Sequence, residues 1–159
     1  MKTLRILFFV CFSALLSFPT STNAQTLAMC TSPKGKAFFP YMGVIDQKGS
    51  GWRDDEISSG FYTLKRLPNG QFDLLFLDAS QQIHSATQDG GTVILVRRGK
   101  NDMTFVVSYA GYTLEVYTFL RDLAGQAWFT VLASRGGDRI SIPKSSLLVG
   151  SCSVVALNW

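Results

Sequence analysis

Few side chains in this 159-residue chain are of types that do chemistry, and their spacing narrows what they can do. The densest group is Trp52, Arg53, Asp54, Asp55 and Glu56, consecutive in GSGWRDDEISSG. It sets three carboxylates beside a cation and a large aromatic ring, between glycines. Carboxylates suit hard cations such as Ca²⁺ or Mg²⁺. The segment is therefore a candidate contact for a cation or a partner. Against chelation, neighbours on an extended chain point in opposite directions. The alternating Asp pattern of an EF-hand loop is also missing. The plainer expectation is a solvated loop entering the first long strand, with Trp52 packed on the end of the fold.

His84, in IHSATQDGG, is the one histidine of the chain. With no second imidazole and no spare pair of thiols, a transition-metal site of the usual kind is not supported. A hydrogen-bonded or exposed histidine is expected. Ser141-Ile-Pro-Lys144 matches the S-x-x-K of penicillin-binding enzymes, but the chain has no K-T-G partner and is too short for that fold. There is no G-x-S-x-G and no phosphate-cradling glycine loop. No catalytic, cofactor-binding or metal-ligating residue is assigned. Arg97, Arg98 and Lys100, with Lys65 and Arg66, read as cations that keep strand ends soluble and guard edges, or that meet an anionic partner.

The cysteines speak of compartment. Cys11 lies in an N-terminal apolar run, and Cys30 and Cys152 lie near the two ends of the remaining chain. Lys2 and Arg5 precede that run, at residues 6–18, which Pro19 breaks, and Thr22-Asn23-Ala24 supplies small residues. This is the order of a secretory signal peptide, residues 1–24, with cleavage expected after Ala24. The apolar run is shorter than the about 20 residues that span a bilayer. A lipid on Cys30 is disfavoured because Met29 sits where a small residue is wanted. The pair left after cleavage, Cys30 and Cys152, is most simply a disulfide in an oxidising, exported compartment, periplasmic or extracellular. Loss of Lys2 and Arg5 takes 15 basic residues to 13 against 11 acidic ones, a net charge of +2. That is no argument for nucleic acid or a polybasic membrane contact.

The elements that must position these residues are strands. Residues 25–60 are rich in Gly, Pro, Ser and charge and read as an irregular segment with short strands. From Phe61 to Trp159, short apolar and aromatic runs alternate with turns. Pro68-Asn69-Gly70 between FYTLKRL and QFDLLFLD is a strong hairpin signal. Strands at this spacing, without helices between them, predict a single all-β antiparallel meander of about eight strands. It is an up-and-down barrel or curled sheet, with a two-layer sandwich as the alternative. In QFDLLFLD, Phe72, Leu74 and Phe76 share a face. In YTLEVYTFL, Leu114, Val116 and Leu120 oppose Thr113, Glu115 and Tyr117. Both faces carry apolar residues.

These readings favour an exported, non-catalytic β-domain that binds a protein, a cell-wall polymer or a small apolar ligand held in a barrel mouth. Small disulfide-tied β-barrels also serve as periplasmic lysozyme inhibitors. The chain is similar to them in size, compartment and architecture, and this gives a second expectation, a secreted inhibitor of a hydrolase. A working pair of acids is a third, and needs two carboxylates facing each other across a cleft.

Overall fold

The computed structural model describes residues 23–77 and 81–159. The leader assigned to residues 1–24, Cys11 included, falls outside the described residues except for Asn23 and Ala24.

The described chain is all-β. Its ten antiparallel strands are β1 (Gln25–Phe39), β2 (Gly51–Glu56), β3 (Phe61–Arg66), β4 (Phe72–Leu77), β5 (Ile83–Ser85), β6 (Thr92–Arg98), β7 (Asp102–Tyr109), β8 (Thr113–Arg121), β9 (Ala127–Arg135) and β10 (Lys144–Val155). They form one strongly curled sheet, nine of them in the order β5-β4-β3-β1-β10-β9-β8-β7-β6 and β2 paired to β1 off this path, a half-barrel and not a two-layer sandwich. Most neighbours are joined by tight turns. The Asn69-Gly70 turn is one, with Gly70 at φ 82° and Gln71 N–H donating to Asn69 Oδ1 at 3.0 Å. A positive φ is cheap for glycine because it has no Cβ.

The largest departure from the sequence reading is β1. The composition of residues 25–60 predicts coil with short strands, yet residues 25–39 form one 15-residue strand at the centre of the sheet. One edge of β1 pairs with β10; the other pairs with β3 over its first half and with β2 over its second. The residues that read as breakers are absorbed at a bend. The register shifts between Thr31 and Lys34, Ser32 takes φ 50°, and Pro33 is fully buried. A bulge is where a strand tolerates proline. At that bend β2 hands over to β3: Ile57 N–H donates to Pro33 O and Ser32 N–H to Gly60 O. Residues 139–142, RISI, lie in the turn between β9 and β10.

Cys30 and Cys152 face each other in the β1–β10 ladder and are bonded, closing 122 residues of chain. The bond joins the first and last strands at the middle of the sheet and suggests an oxidising compartment. Among the described residues, no helix is long and apolar enough to cross a membrane.

The concave face holds the core: Phe105, Phe119, Phe129, Leu27, Leu64, Leu74 and Met103 are all fully buried. Alternation puts Phe72, Leu74 and Phe76 of β4 together on that side, as their spacing predicts. The two ends of the half-barrel differ. At one, the chain leaves β10 and carries Trp159 between Phe72, edge-on at 5.4 Å, and the guanidinium of Arg98, 4.3 Å from the ring centre. Arg98 also donates to Leu157 O at 2.7 Å, and Arg66 stands over the same ring at 5.3 Å. Two of the cations that read as solubilising strand ends, Arg66 and Arg98, thus clamp the C-terminal segment across β3, β4 and β6. The other end is open.

Candidate functional site

The open end contains a pocket of about 220 Å³. Its residues come from elements far apart in sequence that the curl brings together. Ile57 comes from the β2–β3 connection, Tyr62 from β3, and Phe76 and Leu77 from β4. β8, β9 and β10 complete it, with Glu115 and Tyr117, Val131 and Arg135, and Lys144 and Leu148. Strand period dictates which side chains enter. Thr113, Glu115, Tyr117 and Phe119 alternate onto the concave side, while Leu114 and Val116 point outward. The polar set of YTLEVYTFL therefore faces inward, and Leu114 is left exposed on the convex face.

The floor is aromatic and apolar. Tyr62 packs on Tyr117 at 5.9 Å and on Phe129 at 5.2 Å between ring centres, and Tyr117 is buried. Burial, then the nearby Glu115 carboxylate, pushes both phenols well above their ordinary range, so they stay neutral hydrogen-bond donors.

Charge is arranged around that floor. Tyr117 Oη donates to Glu115 Oε2 at 2.8 Å. Burial raises the Glu115 pKa above its usual value, with the Tyr117 hydrogen bond and the Arg135 charge pulling the other way. Glu115 pairs with Ala133 in the β8–β9 ladder, and Thr113 pairs with Arg135. Glu115 and Arg135 are thus diagonal neighbours on one face, a placement with a spacing of about 7–8 Å between Cα atoms. Among the described residues Arg135 nevertheless makes no ion pair. Lys144, the second cation of the pocket, is taken: its Nζ lies 2.6 Å from Asp55 Oδ2, both side chains being mostly buried.

The residues singled out by type and spacing are dispersed. Trp52, Arg53, Asp54, Asp55 and Glu56 form β2 instead of a loop. Their side chains alternate, so the three carboxylates do not converge. Asp54 pairs with Lys36 at 2.8 Å, Asp55 with Lys144, and Glu56 stands opposite Lys34 in the ladder. Arg53 donates to Lys48 O at 3.0 Å. Trp52 is 70% exposed and leans on Phe38 at 5.6 Å, on the outer face and not on the end of the fold. Among the described residues, no three His, Cys, Asp or Glu side chains gather as metal ligands would. His84 stacks on Phe76 at 5.4 Å, with Nδ1 3.2 Å from Asp89 Oδ2. Ser141 lies in a turn, where its carbonyl accepts from Val44 N–H, and Lys144 opens β10; neither begins a helix. The S-x-x-K match thus lacks the setting that chemistry needs.

Of the Trp52–Glu56 cluster, only Asp55 reaches the pocket's charge network, through Lys144. Arg135 and Ser146 carry no signal in the sequence, and Glu115 and Thr113 only that of strand alternation. That signal is the inward-or-outward ambiguity of YTLEVYTFL, where one face is polar and aromatic and the other aliphatic.

A second surface lies on the convex side. Ile94, Val106, Val116, Leu132 and Leu147 stand in one register row across β6 to β10. The β1–β2 hairpin extends beside it with Tyr41, Met42 and Val44 exposed.

No family model, curated protein or solved structure matches this chain.

Proposed function

We propose that this protein is an exported, non-catalytic β-domain that binds a small molecule in the pocket at the open end of its half-barrel. The observation that carries the reading is the pocket's make-up. An aromatic and aliphatic floor is met by a few convergent polar groups, Glu115, Arg135 and Ser146, drawn from different strands. Ligand sites have this composition, with apolar walls for affinity and sparse polar groups for orientation. The disulfide and the secretory leader read in the sequence support the periplasm or the extracellular space. Binding, not turnover, fits the polar groups. Glu115 and Asp55 are the acids at this end; one is hydrogen-bonded by Tyr117 and the other is paired with Lys144. Neither faces a partner acid across a cleft as hydrolytic pairs do.

Native mass spectrometry of the protein isolated from its own host tests this. The expected result is extra mass that leaves on denaturation and is lost in Ala133→Phe, which fills the pocket. A bare wild-type monomer, or a passenger that Ala133→Phe retains, would contradict it.

The exposed β1–β2 hairpin favours a second reading, an inhibitor that presents this surface to a hydrolase such as lysozyme. Aromatic residues and methionine are enriched at protein interfaces. Inhibition of lysozyme by the wild type that Trp52→Ala abolishes would establish it; no effect on lysozyme would remove that target.

A further inference from the structure

We infer that the pocket takes a small zwitterion of the free amino acid type, with its ammonium against Glu115, its carboxylate against Arg135 and its apolar body on Tyr62, Tyr117, Val131 and Leu148. The inference rests on the pocket being the ligand site, and names its ligand class.

Three observations lead there. First, the pocket holds one negative and one positive group that are diagonal neighbours across β8 and β9 and are not joined in an ion pair. Glu115 turns its Oε2 to the Tyr117 hydroxyl, and Arg135 makes no ion pair among the described residues. Second, the remaining charges at this end cancel, since Lys144 is held by Asp55. The lining is therefore balanced and presents separated charges of opposite sign, not a field of one sign. A purely anionic ligand would meet Glu115 and a purely cationic one Arg135, each a like-charge contact in a partly desolvated site. An uncharged apolar ligand would desolvate Glu115 further and bring no opposite charge to it, and burying a charge without a countercharge against it is costly. A ligand carrying both charges satisfies both groups. Third, size limits the rest. The pocket, about 220 Å³, is smaller than the about 300–1,000 Å³ of sites for drug-sized ligands. A short aliphatic or aromatic body fits the floor between Tyr62 and Leu148. The placement follows from depth: Glu115 lies in the wall beside buried Tyr117, whereas Arg135 is exposed at the rim.

The test is titration calorimetry with three probes that differ in one charge each: leucine, leucinamide, which lacks the carboxylate, and 4-methylpentanoate, which lacks the ammonium. Wild type is compared with Glu115→Gln and Arg135→Gln, with near-ultraviolet circular dichroism confirming that each variant is folded. The wild type is expected to bind leucine about tenfold or more tighter than either analogue, the scale of one good charge-assisted contact. Glu115→Gln is expected to erase leucine's advantage over 4-methylpentanoate, and Arg135→Gln its advantage over leucinamide. Equal affinity for all three probes, or leucine binding untouched by both substitutions, overturns the inference. So does no leucine binding at millimolar concentration. In each of these cases a passenger displaced by Ala133→Phe in the mass spectrum would still uphold the pocket as a ligand site. Failure of the ligand class and failure of the site are thus separate results.

Discussion

At the scale of single residues, the determining feature is a carboxyl group in an aromatic wall. Burial makes the folded state hold the Glu115 proton more tightly than the unfolded chain does. The folded state then binds more protons in the interval above the ordinary value of 4.5, so stability falls as pH rises through it. The favourable contribution of protonated Glu115 is complete below that ordinary value and is lost as pH climbs past the raised one. Glu115→Gln should therefore flatten the pH dependence of the urea midpoint and raise the midpoint at neutral pH; an unchanged slope would mean that the group is not desolvated. Apart from strand alternation, nothing in the sequence sets Glu115 apart. A lone carboxylate in a strand has no partner at fixed spacing, and its neighbours in space are supplied by β3, β9 and β10. Cys30 and Cys152 are legible because, with Cys11 assigned to the leader, the two thiols left allow one pairing. The three adjacent carboxylates diverge, as strand alternation in the sequence leads one to expect: Asp54 and Asp55 go to opposite faces and to different lysines.

At the scale of elements, the β1–β10 pair organises the sheet, and two glycines show how closely it is packed. A Cβ on Gly35 would stand 2.1 Å from the Leu147 carbonyl oxygen, and one on Gly150 2.6 Å from that of Thr31. Backbone atoms cannot yield as a flexible side chain does. Gly35→Ala should cost roughly 1–3 kcal/mol in denaturant unfolding, in the range of strained or overpacked substitutions. The disulfide between the same strands closes 122 residues. On the chain-entropy account, Cys30→Ala/Cys152→Ala should lower stability by about 4–5 kcal/mol, read as a shift in the guanidinium midpoint. Hairpins such as β3–β4 are legible from turn chemistry at Asn69-Gly70. The length of β1 is not, because Pro33 and Gly35 carry the composition of coil. They serve, respectively, a buried bulge and a close backbone approach, which only the pairing partners reveal.

At the scale of the whole molecule, one curled sheet is closed at one end by Trp159 and left open at the other, with a phenylalanine core between. Phe105, Phe119 and Phe129 are each fully buried, and Phe119 stacks against Phe129 at 6.1 Å. Phe119→Ala should cost about 3–5 kcal/mol and loosen both the core and the pocket floor above it, measurable by thermal and denaturant melts. All-β meander order is legible from regular strand spacing. The direction of curl is less so, because β8 and β9 carry aliphatic residues outward and polar ones into the pocket. The concave face of this molecule serves as a core along part of its length and as a lined cavity at its open end. That division, more than any motif, is what makes the pocket the proposed ligand site.

The most direct measurement is a map of backbone amide shifts in isotope-labelled protein as the low-molecular-mass fraction of its host's exported compartment is added. The expected result is saturable shifts confined to the pocket strands, at Glu115, Tyr117, Val131, Arg135 and Ser146, and absent in Ala133→Phe. Shifts confined to Tyr41, Val44 and Trp52 on the hairpin, or no shifts at all, would contradict a small-molecule site at the open end of the half-barrel.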